Sequence, residues 1–187
     1  DIIVNSSPDP KYLAICLVFK MGLSIGEVCA LEWEDVEFEK GTIQIKNTIQ
    51  RIQNREETGR KTLLVKMLLS DSTQRKLPIP NTLLHILKKY KQEKGYVLQC
   101  KKGKLPDPRR EQIRLEKFFE KQEMTGYNFH ILRDTFAVRC IRAGMSMENL
   151  SYVLGHASVA INAERYKEFL ETKQERITII KRIMELV

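Results

Sequence analysis

The chain has 187 residues, 42% apolar and 30% charged, enough for one substantial globular domain with its own core. No apolar run is long enough to span a bilayer, and the opening, Asp1 to Ser7, lacks the basic start and apolar stretch of a secretory signal. Lysine and arginine number 32 against 24 acids, a formal charge of +8, which reads equally as a footprint for nucleic acid or as a surface tuned for solubility.

Residues 9–20, DPKYLAICLVFK, predict a helix, with Asp9 as N-cap and Pro10 at the first position. Residues 24–32 predict a second, short helix, in which Ser24 and Glu27 form a capping-box pattern. The period then changes. TIQIKNTIQRI, 42–52, alternates like a strand, NREETG, 54–59, reads as a polar turn, and KTLLVKMLL, 61–69, as the returning strand. Arg75 to Pro80 forms a third extended piece, kept at an edge or end by Pro78 and Pro80. Further helices are predicted over 81–94, 108–123, 128–143, 146–153, 158–169 and 172–186, and Lys101-Lys102-Gly103-Lys104 is a basic loop between two of them. The cysteines at 16, 29, 100 and 140 form no CxxC pair, so buried free thiols in a reducing compartment are expected, without zinc or disulfides.

Four polar residues in the last third stand out by placement. His130 and Arg133 are three apart on one predicted helix and share a face. His156 follows Gly155 at a turn between helices, and Tyr166 comes ten residues later. Each has a plain structural reading. The His and Arg can pair with Asp134 or Glu164, the Gly-His turn can end a helix, and Tyr166 beside Phe169 can fill a core.

Taken jointly, NFHILRDTFAVRCIRAGMSMENLSYVLGHASVAINAERY, 128–166, resembles the tyrosine recombinase family, the phage and transposon integrases. MGLSIGEVCALEWEDVEFEKGTIQI, 21–45, resembles the family's opening helix and first strand, and STQRKLPIP, 72–80, the segment that closes its small sheet. The resemblance implies an α+β fold, mainly helical, with a small three-stranded antiparallel sheet. It implies one catalytic domain, 1–187, of a longer recombinase. The first residue is not Met, and the family's N-terminal core-binding domain is expected to lie outside this chain.

The resemblance also implies chemistry. Tyr166 would attack a DNA phosphodiester, forming a 3′-phosphotyrosyl link and releasing a 5′-hydroxyl, with neither metal nor ATP. Arg133 would grip the phosphate oxygens bidentately, His156 would add a donor, and His130 would serve as general acid/base. The implied partners are double-stranded DNA and further recombinase protomers: a tetramer on DNA, a monomer or weak oligomer alone, and no membrane. The implied setting is cytoplasmic, in a bacterial or phage-encoded protein. The apolar residues of 172–186 fit packing on a neighbouring protomer and packing within the chain equally well.

Two departures matter. Ser24 stands where the family carries its first phosphate-binding arginine, while Glu27 and Trp33 stay in register. A deliberate replacement that traps an inactive enzyme, natural decay, or an arginine reaching in from the hairpin (Arg51, Arg55 or Arg60) each accounts for it, the last least readily. The family's catalytic lysine falls near Leu68-Leu69, and Lys66 is the nearest candidate, level with the reading of an ordinary surface lysine. The expected function is therefore a recombinase impaired at Ser24, with a DNA-binding or synapsis module of the same fold as the alternative. A helix-turn-helix repressor built on 146–169 leaves the strands and the His-Arg pair unexplained.

Overall fold

Asp9 accepts a hydrogen bond from the Lys11 amide, and Pro10 presets the backbone for a 3-10 turn, Pro10–Tyr12, that runs straight into α1, Leu13–Met21. The computed structural model describes residues 9–54, 62–100, 104–169 and Met184. Leu13 to Val18 and Met21 are all buried, so α1 is covered on every side and forms the axis of the main core. It ends at Gly22, whose positive φ of 67° suits glycine. A Cβ there would fall 2.3 Å from the Phe136 ring. Helix α2, Ile25–Ala30, opens on the capping box read from the sequence, with Ser24 and Glu27 bonding reciprocally.

The strands are β1, Val36–Glu37; β2, Thr42–Ile45; β3, Asn47–Gln53; β4, Thr62–Leu68; and β5, Arg75–Pro78. A three-stranded antiparallel sheet has the order β1-β2-β5, and β3 and β4 form a separate antiparallel pair. The expected sheet is present with a different membership. The 42–52 strand breaks at Lys46, whose carbonyl accepts the Leu69 amide and whose ammonium pairs with Asp35 2.5 Å away. The chain there leaves one partner, β5, for another, β4. Strand β5 is an edge, as its prolines require.

The remaining helices are α3, Asn81–Tyr90; α4, Pro108–Glu120; α5, Phe129–Arg142; α6, Met147–Leu154; and α7, Val159–Arg165, followed by a 3-10 turn, Lys167–Phe169. Helix α5 joins two cores. Phe129 and Leu132 face the main one, whereas Ala137 and Ile141 form a small second core with Leu150, Leu154 and Tyr166. The expected helix 172–186 lies outside the described residues apart from Met184. All four cysteines are free, but only Cys16 and Cys29 are buried, and Cys100 and Cys140 are half-exposed. The 101–103 loop lies outside the described residues. No described helix is long and apolar enough to cross a membrane.

Candidate active site

Asn128 caps α5 by accepting the Ile131 amide, which fixes the first turn that carries His130 and Arg133. Arg133 points toward the ends of two other helices. Its Nη1 donates to the Gly22 carbonyl at 3.0 Å and its Nη2 to the Leu154 carbonyl at 2.7 Å. Gly22 follows α1 and Leu154 is the last residue of α6, so one guanidinium satisfies orphan carbonyls at the negative ends of both helix dipoles. Nη2 also lies 3.0 Å from His156 Nε2. Nη1 also pairs with the Glu27 carboxylate at 3.6 Å, so among the described residues the Nε hydrogen of Arg133 is the one without a hydrogen-bond partner, on a side chain that is 14% exposed.

Beneath it lies a second arginine. The Arg75 side chain, 1% exposed, donates from Nη1 and Nη2 to the Glu27 carboxylate at 2.7 and 3.2 Å, and from Nε to the Val153 carbonyl at 2.8 Å. Glu27 also takes the Ser24 amide and lies 3.6 Å from Arg133 Nη1. Gly155 makes this fit possible, because its φ is 70° and a Cβ would fall 2.3 Å from Arg75 Nη1. Two guanidiniums against one carboxylate leave an excess positive charge, and Arg133 is the member that reaches the surface.

His156 is held from its other side. Its Nδ1 lies 2.5 Å from Asn162 Oδ1, and Asn162 Nδ2 donates to Ser151 Oγ at 2.8 Å. Burial, Arg133 and Arg165 push the His156 imidazole below its usual value, against the pull of Asn162. Burial would lift the Glu27 carboxyl, but the Arg75 bond and charge outweigh it and hold the group below the usual range.

Tyr166 lies just past α7 and is 2% exposed. Its hydroxyl donates to Asp134 Oδ1 at 2.7 Å, and Arg165 grips the same carboxylate from Nε and Nη2 at 3.0 and 2.8 Å. Burial, and then the Asp134 hydrogen bond and charge, push the phenol up to about 12. Folding thus favours the protonated phenol. The stabilisation it contributes is complete below pH 10, its ordinary value, and is lost as pH rises toward 12. Urea midpoints between pH 9 and 11.5 are expected to fall more steeply for the natural chain than for Tyr166→Phe. The difference should reach on the order of 2 kcal/mol at the alkaline end.

The structure thus brings Arg133 and His156 into contact and places Tyr166 on the residue next to Arg133, bonded to Asp134 rather than to either of them. His130 is exposed on the first turn of α5. Lys66 lies on β4, where its ammonium pairs with Glu32 at 2.9 Å and lies over the Tyr96 ring. Ser24 is committed to its helix cap. Of the hairpin arginines, Arg51 is tied to Asp107 and Thr62, and Arg55 and Arg60 lie outside the described residues.

Arg75, Asn162 and Asp134 enter the site without having been singled out for it in the sequence. Arg75 had a readable signal. Arg75, Leu77 and Ile79 alternate, and all three are buried. Asn162 is four residues before Tyr166, on the same helical face.

The sequence pattern of the phage integrase family matches residues 2–172. The tyrosine recombinase XerC-like protein of Caldanaerobacter subterraneus subsp. tengcongensis is 27% identical over 169 residues, spanning 80% of this chain and 43% of that protein. The chain therefore covers less than half the length of this relative. The fold is similar to that of the Tn1549 transposon integrase in complex with transposon right end DNA, with a TM-score of 0.70 and 21% identity, over 98% of this chain and 63% of that one. It is also similar to the catalytic domain of bacteriophage HP1 integrase, with a TM-score of 0.59 and 19% identity, over 93% of this chain and 83% of that one. The α+β fold, the paired Arg133 and His156 with Tyr166 beside them, and the match over most of its length place this chain in the phage integrase family of tyrosine recombinases.

Proposed function

We propose that this chain is the catalytic domain of a site-specific DNA recombinase, with Tyr166 as its nucleophile. The observation that carries the reading is the Arg133–His156 pair, 3.0 Å apart, with the Arg133 Nε hydrogen unpartnered among the described residues. A scissile phosphate placed there would take the Nε hydrogen and the positive charge of the guanidinium. The Tyr166 oxygen attacks phosphorus, the bond to the 5′-oxygen breaks, and a 3′-phosphotyrosyl link holds the strand until a second 5′-hydroxyl displaces it. His130, exposed one turn before Arg133, is the proposed acid/base near the nucleophile. Lys66 is the proposed proton donor to the leaving oxygen, once free of Glu32. Tyr166 must leave Asp134 to act, so the described arrangement is a resting one.

The partner is double-stranded DNA, with a tetramer of protomers on it and a monomer or weak oligomer without it. The solved transposon integrase complex and the +8 charge support DNA binding. We place the protein in the cytoplasm of a bacterium, encoded by a prophage or other mobile element. A weakened DNA-binding or synapsis module remains the second reading, favoured by Ser24 acting as a helix cap where the family carries an arginine.

The test is covalent capture on nicked duplexes randomised around the nick. An adduct that survives denaturant and vanishes in Tyr166→Phe is the expected result. If neither the natural chain nor Ser24→Arg gives an adduct, also when joined to its full-length flanks, the enzymatic reading is wrong.

A further inference from the structure

We propose that Asn162 is a positioning residue that fixes the tautomer of His156 and, through it, the orientation of Arg133. The proposal rests on the reading that Arg133 and His156 hold the phosphate.

The argument is one of donors and acceptors. Arg133 has only donors, so His156 Nε2, 3.0 Å from Nη2, must offer its lone pair. A neutral imidazole with a bare Nε2 carries its proton on Nδ1. That proton faces Asn162 at 2.5 Å, which must therefore present its oxygen. The amide nitrogen is then committed to Ser151 Oγ at 2.8 Å. Asn162 is 0% exposed and Ser151 is buried, so neither end of the amide has water as a substitute partner. The relay Ser151–Asn162–His156–Arg133 thus has one consistent proton arrangement.

Without the Asn162 oxygen, the imidazole is free to carry its proton on Nε2. An N–H would then face an N–H of Arg133 at 3.0 Å, and the guanidinium would be displaced from the Leu154 carbonyl. The amide also suits the site better than a carboxylate would. An aspartate at 162 would hold His156 charged, setting another cation against Arg133 and Arg75 before any phosphate arrives. With the uncharged amide at 162, burial and the neighbouring arginines keep the ring neutral in the empty site. The Asn162 oxygen still accepts the hydrogen bond from Nδ1–H when His156 becomes protonated and turns Nε2 into a donor toward a bound phosphate.

The experiment follows the ring nitrogens of His85, His130 and His156 by NMR on ¹⁵N-histidine-labelled chain across pH. His156 is expected to show Nδ1 protonated and Nε2 bare. Asn162→Asp, close to isosteric, should move its midpoint up by about one unit or more. Asn162→Leu should give a mixed tautomer pattern, with His85 and His130 unchanged as controls for folding. A natural chain with the proton on Nε2, or no change in either variant, overturns the proposal.

The second arm measures adduct formation on the randomised nicked duplexes in a Ser24→Arg background. There Asn162→Leu is expected to slow capture about 10- to 100-fold, by analogy with the loss of a metal-ligating histidine's hydrogen-bond partner. An unchanged rate beside an altered tautomer overturns the positioning role. If the parent captures no DNA at all while the nitrogens behave as expected, the relay stands and the phosphate reading fails.

Discussion

Arg75→Leu is expected to destabilise the chain by about 3–5 kcal/mol, a shift in melting temperature on the order of 10 °C. The cause is the carboxylate left behind. Glu27 is buried, and Arg75 supplies two of its hydrogen bonds. Without that arginine, Arg133 at 3.6 Å and the Ser24 amide are what remains among the described residues to compensate for burial. The last turn of α6 also loses the donor on its Val153 carbonyl.

The pH dependence gives the mechanism a sign. In the natural chain the Glu27 carboxyl is held low, so its contribution is present above its ordinary value of 4.5 and is lost as pH falls below that. In Arg75→Leu burial is largely unopposed, and the carboxyl rises instead. The variant then loses stability as pH rises through that window. Denaturation curves for the two chains should therefore converge toward acid pH and separate toward neutral. Adding Glu27→Gln to Arg75→Leu should recover part of the loss, because no buried charge is then left unpaired. Equal deficits at pH 4 and pH 7 would sink the explanation.

Ser24→Arg is expected to raise the rate of covalent capture about 100- to 1,000-fold, the usual worth of one well-placed charge-stabilising donor. Position 24 is two residues beyond Gly22, whose carbonyl touches Arg133, so a long side chain there starts beside the proposed phosphate. The substitution has a cost that the structure also states. Ser24 Oγ accepts the Glu27 amide, and losing that cap destabilises by about 1 kcal/mol. A third guanidinium would join Arg75 and Arg133 around the single Glu27 carboxylate, adding repulsion until an anion binds. The variant should therefore melt a few degrees lower alone while capturing DNA faster. Gel quantification of adduct against time, beside a melting curve, measures both. A lower melting temperature with no gain in capture would mean that Ser24 does not mark a missing phosphate ligand.

Most helices were legible because their signals are local. Asp9–Pro10 and Ser24 with Glu27 act as the caps they resemble. The break at Lys46 was not legible. Ile43, Ile45 and Ile49 keep one alternation across it and are all buried, so the pattern runs on while the pairing partner changes from β5 to β4. Pairing is long-range, and nothing local records it.

The site divides in the same way. His130, Arg133, His156 and Tyr166 were marked by spacing. Their partners were not, because partnership depends on which carbonyl, carboxylate or amide packing brings near. Asp134 reads from the sequence as a plain partner for the His-Arg pair, yet it receives Tyr166 and Arg165 instead. Arg75 reads as a surface arginine on an edge strand until its neighbours Leu77 and Ile79 are counted onto the same buried face.

Among the described residues, Tyr166 is one of five buried members of the second core. The residue proposed to do the chemistry is thus also a keystone of the wall behind it. Swinging the phenol toward phosphorus would vacate a ring-sized space in the core that also holds Leu154, the residue whose carbonyl steadies Arg133. Readiness to react and tightness of fold are then opposed in this domain, so that a chain selected only for heat resistance would drift toward a tyrosine that never comes out.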